Sequence, residues 1–566
     1  MNPIKLSYTN QVGALTKTEI SKMEVLELRE TTSASQTFRS STTLVRQSVV
    51  ALLVSFGTCS LLGSNRADAA LVAEATLAGA ESPAGIVWQS CGTNLDCAQV
   101  QVPLDWHRPN GPKISLSVIR HRASKPGERI GSLFVNYGGP GVAGVPPVKE
   151  GGEGLDMLSG GRFDVVGWDP RGTGESTHVR CFENEKSLVR FWGEDWTIPS
   201  TPAGSWSYVP KTIEYAFRCA ALSGSLLEHI STADTVRDLD YLRQLVGDSQ
   251  LNYRGFSYGT FLGQTYINMF PNRVGRMILD ANIDPVSFTT SVEVGLIDTG
   301  SDSDVVFEKF LSLCEQAGPK CKLTGHGDVT ARVQTVLARL HQGSIPAPRA
   351  PAPHALRYGD AQTVIWSLLA KPVMWPKLAD MLNQAADSDG SDLEISFLEM
   401  REPLLTALVS AAALQCVDKP PLPLGTVLTW PKVMQHLTTT NFLGSTEGWW
   451  LWAPCASWPA RSSERFTGPW TATTANPILV IGNRYDPRTK YANSVLASRR
   501  LGNAVLLTLE GYGHTSDADA SVCIDDAVTN FLVTKTTPPV GTICQPDHAP
   551  FDPDFGNPLS REQPID

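Results

Sequence analysis

Short apolar runs, each stopped by glycine, alternate along much of this chain with stretches whose apolar residues recur every three or four positions. The first kind reads as buried strands and the second as amphipathic helices. Ser132-Leu133-Phe134-Val135-Asn136-Tyr137 runs into Gly138-Gly139-Pro140-Gly141, and Phe163-Asp164-Val165-Val166-Gly167-Trp168 runs into Asp169-Pro170-Arg171-Gly172-Thr173-Gly174-Glu175-Ser176. Both have the form of a strand ending at the carboxyl edge of a parallel sheet, where open α/β folds put their sites. Ahead of them, Ile114-Ser115-Leu116-Ser117-Val118-Ile119 alternates as a half-buried strand does. A helix is predicted over 233–246, with Ser231 or Thr232 as cap and Val236, Leu239, Leu242, Leu245 and Val246 on one face. The strand expected at 251–254 is less apolar than a central strand should be. A helix over 260–270, with Gly259 and Gly263 allowing close packing, stops at Pro271, and Met277-Ile278-Leu279-Asp280 supplies another strand.

The rhythm lapses over 286–425, which reads as mainly helical, as at 305–317 and 361–369, with a Pro-rich linker at 345–351. Trp449, Trp450, Trp452 and Trp458 lead back to strands at Ile478-Leu479-Val480-Ile481 and Ala504-Val505-Leu506-Leu507-Thr508-Leu509. The expected architecture is α/β, a mostly parallel sheet with helices on both faces. The expected divisions are a leader at 1–70, a core at 85–285 and 426–545 split by a helical lid at 286–425, and a tail at 546–566.

The leader differs in composition from the rest. A polar stretch rich in Ser and Thr precedes Arg46, an apolar run from Val49 through Leu62, and the small-residue sequence Ala67-Asp68-Ala69-Ala70. That pattern reads as a secretory signal with its cleavage site, a type II membrane anchor being the alternative. Cysteine usage points the same way. Of 11 cysteines one, Cys59, lies in the leader, and an even set remains: Cys91, Cys97, Cys181, Cys219, Cys314, Cys321, Cys416, Cys455, Cys523 and Cys544. An even set in an exported chain suggests bridges, and nearest-neighbour pairing would close five local loops. With no Cys-x-x-Cys or His-x-x-x-His spacing, no metal is expected. A net charge of -10 argues against a nucleic-acid partner, and no stable membrane association is expected once the signal is removed.

The candidate chemistry begins at Gly255-Phe256-Ser257-Tyr258-Gly259, a nucleophile elbow between a strand and a helix. Two later strands end in the partners that Ser257 lacks, Asp486 and His514. Serine needs a base to attack; His514 would take and return its proton, and Asp486 would fix the imidazole tautomer. Asp280 is the rival acid, since it also ends a strand, while His178 and His229 precede the elbow and are weaker bases. The main-chain N–H groups of Tyr258 and Gly139 are the expected oxyanion donors.

The Gly138 to Gly144 turn, the Asp169 to Ser176 turn, the elbow through Thr260, and Cys523 through Pro538-Pro539-Val540-Gly541-Thr542-Ile543-Cys544 resemble the tripeptidyl aminopeptidase-like branch of the α/β-hydrolase serine peptidases, relatives of prolyl iminopeptidase. The resemblance implies a secreted serine exopeptidase, free of cofactors, acting on peptides with a free N-terminus. It departs from the family pattern at Val142-Ala143-Gly144 and at Asp280-Ala281-Asn282. An N-terminal ammonium would need acidic partners, and the lid offers Glu308, Glu315, Asp360, Glu394 and Glu399 without selecting one. A secreted carboxylesterase or lactonase with the same three residues is the second reading.

Overall fold

The computed structural model describes residues 85–193, 202–290, 292–420, 426–440 and 453–552, with residues 199, 442, 443, 446 and 448 between them. The leader, Trp449, Trp450, Trp452 and most of the tail lie outside the described residues.

The chain opens with antiparallel β1 (Gln89–Gly92), β2 (Leu95–Pro103) and β3 (Lys113–His121). The parallel part follows as β4 (Gly131–Asn136), α1 (Val145–Leu158) and β5 (Phe163–Trp168), then α2 (Glu185–Trp192), α3 (Pro202–Ser223) and α4 (Thr232–Leu245). β6 (Leu251–Phe256), α5 (Tyr258–Met269) and β7 (Val274–Asp280) complete this half. Helices then dominate: α6 (Pro285–Thr290), α7 (Val292–Ala317), α8 (Val329–Gln342), a short hairpin of β8 (Ile345–Pro346) and β9 (Ala355–Leu356), α9 (Tyr358–Leu369), α10 (Trp375–Ala386), α11 (Ser391–Val417) and α12 (Thr426–Thr440). The sheet resumes with β10 (Thr473–Tyr485), α13 (Tyr491–Arg500), β11 (Gly502–Tyr512), α14 (Val522–Thr534) and β12 (Ile543–Cys544).

Ten strands lie in the order β1-β2-β3-β5-β4-β6-β7-β10-β11-β12, parallel from β5 to β12. Alternation along β4 sends Leu133 and Val135 into one core with Phe163, Val165 and Ile481, and Phe134 into the other with Trp168, Tyr253 and Val480. A strand buried on both faces needs this continuous apolar run, and each large side chain contributes about 1.5–3 kcal/mol by leaving water.

Three particulars add to the pattern read from the sequence. β6 is wholly buried despite its polar letters, because they find partners: Asn252 donates to the Ser132 carbonyl at 3.1 Å and accepts the Arg276 N–H at 3.2 Å, while Arg254 pairs with Asp517 at 2.6 Å. The Pro-rich 345–351 stretch is ordered, since Ile345 and Pro346 pair with Leu356 and Ala355 and Ala347 and Ala350 are buried. Helix also continues past 425 through α12.

The cysteines pair as neighbours along the chain: Cys91–Cys97, Cys181–Cys219, Cys314–Cys321, Cys416–Cys455 and Cys523–Cys544. Among the described residues no helix is long and apolar enough to cross a membrane.

Candidate active site

β6 and α5 meet at Ser257, whose backbone stands at φ 54° and ψ -123°. A non-glycine residue persists at positive φ only where its surroundings over-determine it. Here the Ser257 N–H donates to the Asp280 carbonyl at 3.0 Å, and the Ser257 carbonyl accepts the Thr260 N–H at 2.8 Å and hydroxyl at 2.6 Å. Gly259 is required by space: a Cβ there would lie 2.6 Å from the Asn136 carbonyl oxygen. The glycine turn after β4 crosses directly over the elbow, since a Cβ on Gly138 would come within 2.9 Å of both Ser257 Cβ and Tyr258 N. Gly139, the next residue, lines the same cavity as Ser257.

His514 follows β11 on a loop fixed from both sides. Asn483 Nδ2 donates to the carbonyls of Tyr512 at 2.8 Å and Gly513 at 2.9 Å, and the His514 N–H donates to the Ala370 carbonyl, just past α9, at 2.9 Å. The imidazole Nδ1 lies 2.9 and 3.0 Å from the two oxygens of Asp486. Asp486 is fully buried and also accepts the N–H groups of Arg488 (2.8 Å) and Thr489 (3.0 Å) and the Thr489 hydroxyl (2.9 Å). Burial raises its pKa, but His514 and those amides outweigh it and hold the carboxyl below its ordinary value. A carboxylate bonded to Nδ1 leaves Nε2 free to take a proton from a hydroxyl.

Asp280 does not reach the imidazole. Its carboxylate accepts the Ser516 N–H at 3.0 Å and hydroxyl at 2.5 Å, and burial pushes its pKa up to about 6 against the pull of Arg254. His178 lines an outer cleft and His229 lends its carbonyl to Arg171, so neither shares the cavity of Ser257.

Ser257 and His514 line one cavity of about 220 Å³. Its walls are largely apolar: Ile283 and Phe288 below the elbow, Trp366 from α9, and Leu404, Ala407, Leu408, Ala411 and Gln415 from α11. Arg488 and Thr489 complete it, Arg488 stacked on Trp366 at 3.3 Å from the ring centroid. Among the described residues lining it there is no carboxylate. Of the five lid acids, Glu308 and Glu315 are exposed, Glu399 lines an open surface pocket, and Asp360 and Glu394 are buried beside a separate cavity of about 300 Å³.

The Asp169-Pro170-Arg171 turn is architectural. Arg171 is buried against Asp238 at 2.6 and 2.7 Å and donates to the carbonyls of Pro103, Leu104 and His229. Asp169 accepts the N–H groups of Val145 and Glu175 at 2.9 Å each, tying this turn to the start of α1.

The alpha/beta hydrolase fold family matches residues 131–297, and the TAP-like protein family matches residues 442–544. Serine protease Hip1 of Mycobacterium tuberculosis is 30% identical over 461 residues, covering 79% of this chain and 87% of that protein. The chain belongs to the α/β-hydrolase family, in its tripeptidyl aminopeptidase-like branch. Within that family, the tripeptidyl aminopeptidase of Streptomyces lividans is 27% identical over 491 residues, covering 82% of this chain and 88% of that protein. Carboxylesterase B of M. tuberculosis is 32% identical over 480 residues, covering 80% and 86%. The chain is thus a serine hydrolase of a branch that holds named peptidases.

The sequence reading missed the apolar walls, because leucines and alanines on a long helix look the same whether they face a cavity or a core. Thr489 was within reach: Asp-Pro-x-Thr is a sequence in which an Asp side chain takes the amides two and three residues on.

Proposed function

We propose that this protein is a secreted serine exopeptidase that releases short peptides or single residues from free N-termini. Ser257 is the nucleophile, His514 the general base and acid, Asp486 its orienting carboxylate, and the N–H groups of Gly139 and Tyr258 the oxyanion donors. The observation that carries this reading is the Asp486–His514 bond beside Ser257 in one small cavity.

The chemistry follows from that placement. Ser257 Oγ attacks the substrate carbonyl carbon while His514 Nε2 accepts its proton, and the carbonyl electrons move to the oxygen facing the two amides. Collapse breaks the C–N bond, His514 gives its proton to the departing amine, and water repeats the sequence on the acyl-enzyme. Roofing by α9 and α11, which act as a lid, favours a substrate end over a loop of a folded protein. The relative named for tripeptide release supports the amino-terminal direction. The disulfides support export, because such bonds form and persist in an oxidising compartment.

A carboxylesterase is the second reading, favoured by the apolar walls and by the relative of that name. A fluorogenic tripeptide with a free amine, its N-acetylated twin and a short acyl ester separate the two. Turnover of the free-amine peptide, lost in Ser257→Ala, is expected; turnover of the ester alone would overturn the exopeptidase reading.

A further inference from the structure

Tyr258 carries two polar groups. Its N–H is the proposed oxyanion donor, and the role inferred for its side chain rests on that assignment. Its phenol is buried, with the ring against Phe261 and Phe288, and hydrogen-bonds the Thr232 hydroxyl at the first residue of α4. Thr232 passes the connection on: its hydroxyl donates to Asp418 Oδ2 at 2.5 Å and its N–H to both carboxylate oxygens at 3.2 Å. Asp418 caps the C-terminal end of α11, the helix that supplies Leu404, Leu408 and Gln415 to the cavity. All three members of the chain are buried. The same end of α11 is pinned twice more. Cys416 is bonded to Cys455, and Lys419 Nζ donates to the Phe288 carbonyl while lying 4.1 Å from the centre of that ring, itself a wall of the cavity.

We infer that the Asp418–Thr232–Tyr258 chain sets the position of the oxyanion donor relative to the helix that contacts the substrate, with Asp418 and Thr232 as positioning residues. Buried polar groups linked in series have one satisfied arrangement, so movement at either end is resisted at the other. An oxyanion donor acts only within a narrow distance of the developing charge, and the Tyr258 N–H follows a residue already at positive φ. Cutting the chain leaves the substrate pocket in place and loosens the donor, so the loss falls on the transition state rather than on substrate binding.

The test compares Tyr258→Phe, Thr232→Val, Thr232→Ser and Asp418→Asn in the full chain, with Ser257→Ala as reference, on the free-amine tripeptide. Tyr258→Phe and Thr232→Val are expected to lower kcat about 10–100-fold, part of the 10²–10³ that a whole donor supplies, with KM within about twofold. Thr232→Ser, which keeps the hydroxyl, restores kcat. Affinity for a peptide boronate, which mimics the tetrahedral state, should fall in step with kcat, while affinity for the product peptide stays level. Wild-type kcat and boronate affinity in Tyr258→Phe, with Ser257→Ala inactive, would overturn the inference and leave the proposed function standing. Full turnover in Ser257→Ala would instead overturn the proposed function.

Discussion

The carbonyl oxygen of Asp280 accepts the main-chain N–H of Ser257 at 3.0 Å, while the carboxylate of the same residue holds Ser516, two residues past His514. One residue therefore ties the elbow to the histidine loop without touching the imidazole. Burial drives both Asp280 and Asp486 toward the neutral form; His514 and two amides outweigh it at Asp486, whereas Arg254 and Ser516 do not at Asp280. Asp486→Asn is expected to lower kcat by about 10³–10⁴. Asp280→Asn keeps an acceptor for the Ser516 N–H and should cost less than about tenfold, most of its effect appearing in thermal stability. Steady-state kinetics beside thermal unfolding check this, and equal kcat losses would contradict it.

A methyl group on Gly138 has nowhere to go. The residue sits at φ 84°, and its Cβ would lie 2.5 Å from the Phe256 carbonyl oxygen. Gly138→Ala should destabilise by about 2–4 kcal/mol from backbone strain and overpacking together. A urea midpoint equal to wild type would refute this.

Cys181–Cys219 spans 38 residues of sequence and staples the turn after β5 to α3. Constraining a loop of that size is worth about 4 kcal/mol on the chain-entropy account. Replacing both cysteines by serine should lower the denaturant midpoint accordingly, and more than the same change at Cys314–Cys321, whose separation is 7.

Asp519 gives a pH dependence away from the reacting groups. Burial pushes its pKa up to about 7, against the Tyr512 amide and with help from Asp547. In the unfolded chain it ionises at about 3.9, so between roughly pH 4 and 7 the folded state holds a proton that the unfolded state has lost. Its contribution to stability is therefore fully present below about pH 4 and declines as pH rises toward 7. Asp519→Asn should flatten that part of the Tm-against-pH curve; an unchanged slope would contradict the assignment.

The strand runs and the glycine turns behind them were legible because a doubly covered parallel strand leaves little freedom in composition: β4 and β5 read plainly from Leu133 to Val135 and from Val165 to Trp168. β6 read poorly because Asn252 pairs with Ser132 and Arg276, and Arg254 through Nη2 with Asp280 and Asp517, partners far away in sequence. For the same reason sequence could rank Asp486 above Asp280 only by position, whereas the bond to His514 Nδ1 separates them directly. The lid acids were unselectable because a glutamate on a helix carries no local sign of which way it faces.

The residues of the site are also ordered in time. Ser257 lies before the helical segment and Asp486 and His514 after it. A chain made N-terminus first holds Ser257 long before Asp486 and His514 exist to be brought beside it. Until β10 and β11 dock beside β7, Ser257 has neither Asp486 nor His514 beside it, so the proposed catalytic group is complete only when the last strands of the sheet are in place.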